Sequence, residues 1–149
     1  MELILASQST MRQHILGCAQ MTAIAVPSQI DEESITRSLI AEKAMPRDIA
    51  DTLAEHKAKK ISMKNQDSWV IGCDQVLAFE GKVFGKPRTL DELNQCLTRL
   101  SGKTHRLITA NVIYQNSKPM WRYVAVSHMT MYPMTVDEIS EYAEKAWPD

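Results

Sequence analysis

The sequence predicts an α/β fold, on three observations. The apolar run Leu3-Ile4-Leu5-Ala6 turns at once into small hydroxyl residues and a helical pattern. Short apolar, strand-like runs recur between segments whose apolar residues repeat at helical spacing. Thr89 and Thr135 each precede a helical pattern and are followed three residues later by Glu92 and Glu138, the signature of a capping box. A chain of 149 residues with this alternation suits one domain, 1–149, with a sizeable core.

Taken in order, Leu3-Ile4-Leu5-Ala6 reads as a buried strand, and Ser9 as the N-cap of a helix through Ile15 and Leu16. Such a junction leaves backbone N–H groups and the positive end of the helix dipole open to phosphate, with Arg12 one turn further on. Thr22 to Val26 reads as a second strand, parallel to the first and stopped by Pro27. Ser28 to Glu33 reads as a polar loop, and a helix follows from Ile35 until Pro46 breaks it.

Arg47 to Ile61 gives the clearest helix, with Ile49, Ala50, Leu53, Ala54, Lys57, Ala58 and Ile61 on one stripe. A lysine on such a stripe either snorkels to water along its stem or binds a ligand. Trp69 to Cys73 reads as a third strand ending at Asp74-Gln75. An acid at the end of a buried strand is costly to leave unpaired, so Asp74 is either a site residue or the acceptor of a turn.

Val76 to Phe79 and Lys82 to Phe84 flank Glu80-Gly81 as a tight hairpin, followed by Gly85-Lys86-Pro87. The helix opened by Thr89 buries Leu93, Cys96, Leu97 and Leu100 and ends at Ser101-Gly102. Thr104 to Gln115 and Met120 to Met131 then form an antiparallel hairpin across Asn116 to Pro119. A last helix runs from Thr135 to about Lys145, before Trp147-Pro148.

Composition narrows the functions. With 44% hydrophobic and 23% charged residues the chain is ordinary globular protein, which argues against disorder. A net charge of -1 gives no bulk attraction to nucleic acid or membrane, whereas a small anion in a basic cleft fits. Cys18, Cys73 and Cys96 are odd in number, far apart and in apolar surroundings, so neither disulfides nor a zinc site is expected and a reducing cytoplasm is. No run approaches membrane-spanning length, and Met1-Glu2 leads into the first strand without the pattern of a signal peptide.

Read together, these stretches resemble the Maf family of nucleoside triphosphate pyrophosphatases, also called septum formation inhibitor proteins. The matching motifs are Leu3-Ile4-Leu5-Ala6-Ser7-Gln8-Ser9-x-x-Arg12, Ile30-Asp31-Glu32, Leu53-Ala54-x-x-Lys57-Ala58, Val70-Ile71-Gly72-x-Asp74, Gly85-Lys86-Pro87 and Leu100-Ser101-Gly102-x-Thr104-His105. Each is short, but six in order across nearly the whole chain make a specific match.

The resemblance implies a Maf/ITPase-like α/β fold, a mixed twisted sheet with helices on both sides and a central nucleotide cleft. It implies hydrolysis of a nucleoside triphosphate between its α- and β-phosphates, to a monophosphate and pyrophosphate. By motif position, Asp74, Lys86 and Lys57 are the catalytic residues, and Ser7, Ser9, Arg12 and Gln75 bind substrate. Glu32 and Asp74 are the expected ligands of a divalent cation, Mg2+ or Mn2+. Arg12, Lys57 and Lys86 would hold the triphosphate and stabilise charge developing on it, and Asp74 would orient and deprotonate the attacking water. Family members are often dimers, so a homodimer is the macromolecular partner that the resemblance leaves open.

Two departures bear on substrate and extent. Many members read Ser-Pro-Arg-Arg after the first strand and Asp-Thr after the third; here Thr10-Met11 replace Pro and the first Arg, and Gln75 follows Asp74. The branch acting on 7-methyl-GTP is similar in both respects, so the sequence leans to a 7-methyl-GTP-like substrate, with dTTP/UTP hydrolysis, ITP hydrolysis and nucleotide binding without turnover as the alternatives. Family members also continue past the Trp147-Pro148 region into a glycine-rich segment. This chain stops at Asp149, so a missing C-terminal part is expected, as a fragment or a natural truncation.

Overall fold

The structure, a computed structural model, describes residues 2–147. Its elements in chain order are β1 (Leu3–Leu5), α1 (Thr10–Cys18), β2 (Ile24–Ala25), α2 (Glu32–Ala41), α3 (Pro46–Ser62), β3 (Trp69–Phe79), β4 (Lys82–Phe84), α4 (Leu90–Leu100), β5 (Thr104–Gln115), β6 (Lys118–Thr130) and α5 (Val136–Ala146). The six strands form one sheet in the order β2-β1-β3-β5-β6, with β4 paired to β3. β1 runs parallel to both β2 and β3, with Leu5 opposite Ala25 and Ile71, whereas β3 and β4 are antiparallel. The α/β expectation and the mixed sheet hold.

Two compact units divide the chain. The first comprises Met1–Gln75 with Ile108–Ala125, and the second Val76–Leu107 with Val126–Asp149.

In the first unit the apolar stripe of α3 supplies the buried Ile49, Leu53 and Ile61, and the strands supply Ile4, Leu5, Val70, Ile108 and Val112. Pro46 begins α3, a position where its missing N–H costs nothing. Gly72 sets how closely α3 approaches the sheet: a Cβ there would fall 2.1 Å from the Ala54 carbonyl oxygen and 2.7 Å from the Ala58 nitrogen. Only glycine permits that contact.

The second unit is pinned by caps and turns. Leu97, Ile139 and Ala143 form its core between α4 and α5, with Leu90, Leu93, Met131 and Met134 packed around them. Glu80 and Gly81 both take positive φ in the β3–β4 turn, at 51° and 75°. Gly102, at φ 68°, follows the Ser101 C-cap of α4. Ser101 Oγ accepts a hydrogen bond from the Met134 N–H at 2.7 Å, which fastens the end of α4 to the approach to α5.

Several expectations are corrected. Asp74 is not at a strand end: β3 continues through it to Phe79, because its later residues pair with β4. Glu32 is not in a loop but in the first turn of α2, where Asp31 Oδ1 accepts from the Ser34 N–H at 3.0 Å and caps the helix. β2 is only two residues long, and Lys118 and Pro119 belong to β6. α5 has the full capping box, but Glu92 of α4 does not return to its own N-cap N–H. Cys18 is exposed, and among the described residues all three cysteines are free. Pro148, expected beyond the end of α5, lies outside the described residues. No described helix is long and apolar enough to cross a membrane.

Candidate active site

β1 ends where β3 does not. The last β1 pair is Leu5 with Ile71, the Ala6 N–H donates to the Ile71 carbonyl at 2.8 Å, and the chain then leaves the sheet at Ser7. β3 runs on, so Asp74 stands three residues beyond that last pair. Sequence placed Asp74 at the tip of its own strand; it stands instead past the tip of its neighbour.

At the junction leading into α1, Ser9 Oγ accepts from the Arg12 N–H at 3.3 Å, the expected N-cap. Ser7 is buried, and its Oγ accepts both the Ser9 N–H at 3.2 Å and Arg12 Nη1 at 3.1 Å. The guanidinium is thereby folded back over the start of its own helix. Met11, its neighbour, is 65% exposed.

Along β3 alternate residues share a face. Gly72, against Ala54 and Ala58, therefore places Asp74 on the α3 side, opposite the turn that carries Lys57. Lys57 Nζ lies 2.6 Å from Asp74 Oδ1, and each residue is only 5% exposed. Snorkelling is excluded for this lysine. Glu32 approaches the same ammonium from the start of α2, with Oε1 at 3.0 Å. Burial pushes the Asp74 carboxyl above its ordinary range, more than the hydrogen bond and charge of Lys57 pull it down; Glu32 adds a push upward and Arg12 a pull downward. The adjacent Cys73 thiol is pushed up by burial as well, which argues against a thiolate nucleophile.

Gln75 points to the other face of the sheet, where its Nε2 donates to Thr109 Oγ1 of β5 at 2.7 Å. Lys86 belongs to the second unit, in the exposed loop between β4 and α4. There it lines a cavity of about 260 Å³ together with Phe84, Glu92, Cys96 and Arg99. Arg99 covers the Phe84 ring, 4.6 Å from its centroid.

The structure thus gathers Lys57, Asp74 and Glu32 into one cluster, joins Ser7, Ser9 and Arg12 at a second point within reach of the Asp74 charge, and turns Gln75 away from both. Among the described residues no group of three or more His, Cys, Asp or Glu side chains converges on a metal position. The Glu32 and Asp74 carboxylates instead both face the Lys57 ammonium, at 3.0 and 2.6 Å; in chemical type they are the oxygen donors that a hard cation such as Mg2+ takes, alongside phosphate oxygens and water.

Two residues without an assigned role in the sequence matter here. Gly72 lies inside an apolar run, and its signal is the small pair Ala54 and Ala58, four apart on the facing helix. Thr109 is one polar residue among many on β5, and nothing in sequence ties it to Gln75.

Known proteins resemble this chain along nearly all of its length. A protein named nucleoside triphosphate pyrophosphatase 1 from Jannaschia sp. (strain CCS1) is 44% identical over 147 residues, 99% of this chain and 74% of that one. A nucleoside triphosphate pyrophosphatase of Ruegeria pomeroyi is 42% identical over 97% of this chain and 73% of its own. A 7-methyl-GTP pyrophosphatase of Brucella abortus is 38% identical over 95% and 71%. Since residues 2–149 also match the family model described as Maf-like protein, the chain belongs to the Maf family.

Proposed function

We propose that the chain hydrolyses a nucleoside triphosphate at the α–β phosphoanhydride, giving a nucleoside monophosphate and pyrophosphate. The observation that carries this reading is the buried Lys57–Asp74 pair with Glu32 at its edge, close enough to Arg12 for the guanidinium to act on the Asp74 charge. Relatives named for this activity at 44% and 42% identity support it.

In this reading Asp74 accepts a proton from water as the water oxygen bonds to the α-phosphorus; the bond from that phosphorus to the bridging oxygen breaks, and pyrophosphate leaves. Lys57 fixes the orientation of the Asp74 carboxylate, and its ammonium faces the charge that develops on the phosphate oxygens. Arg12, with the hydroxyls of Ser7 and Ser9 and the opening N–H groups of α1, binds the phosphates. The motif position of Lys86 supports a phosphate-binding role for this residue as well. Glu32 and Asp74 would hold a divalent cation, Mg2+ or Mn2+, whose chemistry there would be to neutralise phosphate charge.

Gln75 following Asp74 and the uncharged Met11 support a 7-methyl-GTP-like substrate, in keeping with the relative of that name. The near-neutral charge supports a free nucleotide, and not nucleic acid or a membrane surface, as the partner, and the free cysteines support a reducing cytoplasm; a homodimer is the assembly that the family resemblance leaves open.

The test is product analysis over a panel of 7-methyl-GTP, dTTP, UTP, ITP and the common triphosphates, with Mg2+ or Mn2+ and with chelator. Pyrophosphate and monophosphate as the products, released fastest from 7-methyl-GTP and abolished by chelation, support the reading. Release of orthophosphate and diphosphate, or binding with no turnover of any member, contradicts it.

A further inference from the structure

Glu92 holds the loop that carries Lys86, and does so differently from the matching residue of the other capped helix. In α5, Glu138 Oε2 accepts both the N–H and the hydroxyl of its own N-cap residue, Thr135, at 2.7 and 3.0 Å. In α4, Thr89 Oγ1 accepts the Glu92 N–H at 3.1 Å as a cap should, but Glu92 Oε2 reaches one residue further back, to the N–H of Arg88 at 2.7 Å. That carboxylate therefore fastens the loop ahead of the helix and not the cap itself.

The single residue between this anchor and Lys86, Pro87, transmits it. Pro87 has a fixed φ and no N–H, and a proline restricts the residue before it, here Lys86, to extended backbone. With Arg88 tied to the first turn of α4, the direction in which Lys86 leaves the loop is set. Glu92 and Lys86 also line the same cavity.

We propose that Glu92 is a positioning residue for Lys86, acting through the Arg88 N–H. This rests on the reading of Lys86 as a phosphate-binding cation of the pyrophosphatase. The role needs a hydrogen-bond acceptor at Glu92 and not its charge, so Glu92→Gln preserves it and Glu92→Ala removes it.

The experiment measures steady-state pyrophosphate release and thermal unfolding for Glu92→Ala, Glu92→Gln, Thr89→Ala, Lys86→Ala and the double variant Glu92→Ala/Lys86→Ala. Misplacing a catalytic group by about 1 Å can cost on the order of a hundredfold, so Glu92→Ala is expected to lower kcat by about tenfold to a hundredfold with KM little changed. Glu92→Gln retains most of the turnover. Thr89→Ala, which loses only the cap, unfolds at lower temperature but keeps its kcat. In the Lys86→Ala background Glu92→Ala costs nothing further, because one acts through the other. Should Glu92→Ala not fold, Glu92→Met keeps the side-chain length without the carboxylate and is read in the same way.

An impaired Lys86→Ala beside an unimpaired Glu92→Ala overturns the positioning role alone, as does additivity in the double variant. Full turnover in Lys86→Ala overturns the assignment of Lys86 itself, and the positioning role with it.

Discussion

Gly72 on β3 and Ala54 on α3 meet backbone to backbone, so closely that a single methyl group at position 72 would overlap the Ala54 carbonyl oxygen at 2.1 Å. That contact, two residues before Asp74 and three before Lys57, brings the acid and the lysine within a hydrogen bond of each other. Gly72→Ala must move the helix away from the sheet. Overpacking of this kind costs about 1–3 kcal/mol and occasionally more, and the upper end is expected here because the obstacle is backbone. Urea denaturation measures the loss, and turnover is expected to fall with it as the Lys57–Asp74 pair opens.

The pair itself separates stability from chemistry. Removing one partner of a buried ion pair costs about 3–5 kcal/mol, while replacing both with apolar groups of similar volume is often neutral or stabilising. Lys57→Met alone is therefore expected to lower the urea midpoint strongly. Lys57→Met with Asp74→Leu is expected to recover most of that midpoint while remaining without turnover. A double variant as unstable as the single one argues against the pair as the source of the loss.

Tyr114 and Glu55 give a stability change at alkaline pH, away from the catalytic cluster. The Tyr114 hydroxyl donates to Glu55 Oε1 at 2.5 Å; burial first, and then this hydrogen bond, push the phenol up to about 12. An unfolded tyrosine titrates near 10, so between about pH 10 and 12 the folded state binds the proton that the unfolded state has lost. Stability from this group is present in full below about pH 10 and is lost as pH rises toward 12. Glu55 has the opposite sign: held below its ordinary value first by Tyr114, it stabilises above the unfolded carboxylate range and loses that contribution as pH falls through its folded value. In urea titrations across pH, Tyr114→Phe is expected to remove the alkaline step and to weaken the acid one.

How much was legible in the sequence follows from the range over which each feature is determined. Caps and turns are local, so Ser9, Gly81, Gly102 and the Thr135 box could be read directly. The buried stripe of α3, Lys57 included, is likewise a property of one helix. Asp31 and Glu32 resembled a loop because the acids that cap and open a helix have the composition of a turn. Asp74 was misplaced relative to its strand because the length of β3 is set by pairing with β4 and β5, which lie later in the chain. The partners of Lys57 come from two other elements, α2 and β3, and no local pattern announces that they converge.

We assign Asp74 as the base of the proposed pyrophosphatase reaction. Burial chiefly pushes its carboxyl up from its ordinary value, against the pull of Lys57. The most direct measurement is pyrophosphate release by Asp74→Asn beside the wild-type chain at a pH on the plateau, with folding checked by its unfolding transition. A positioned general base contributes about a hundredfold to ten-thousandfold, so a folded Asp74→Asn is expected to lose at least about a hundredfold in kcat. A folded Asp74→Asn that releases pyrophosphate at the wild-type rate would rule out Asp74 as the base.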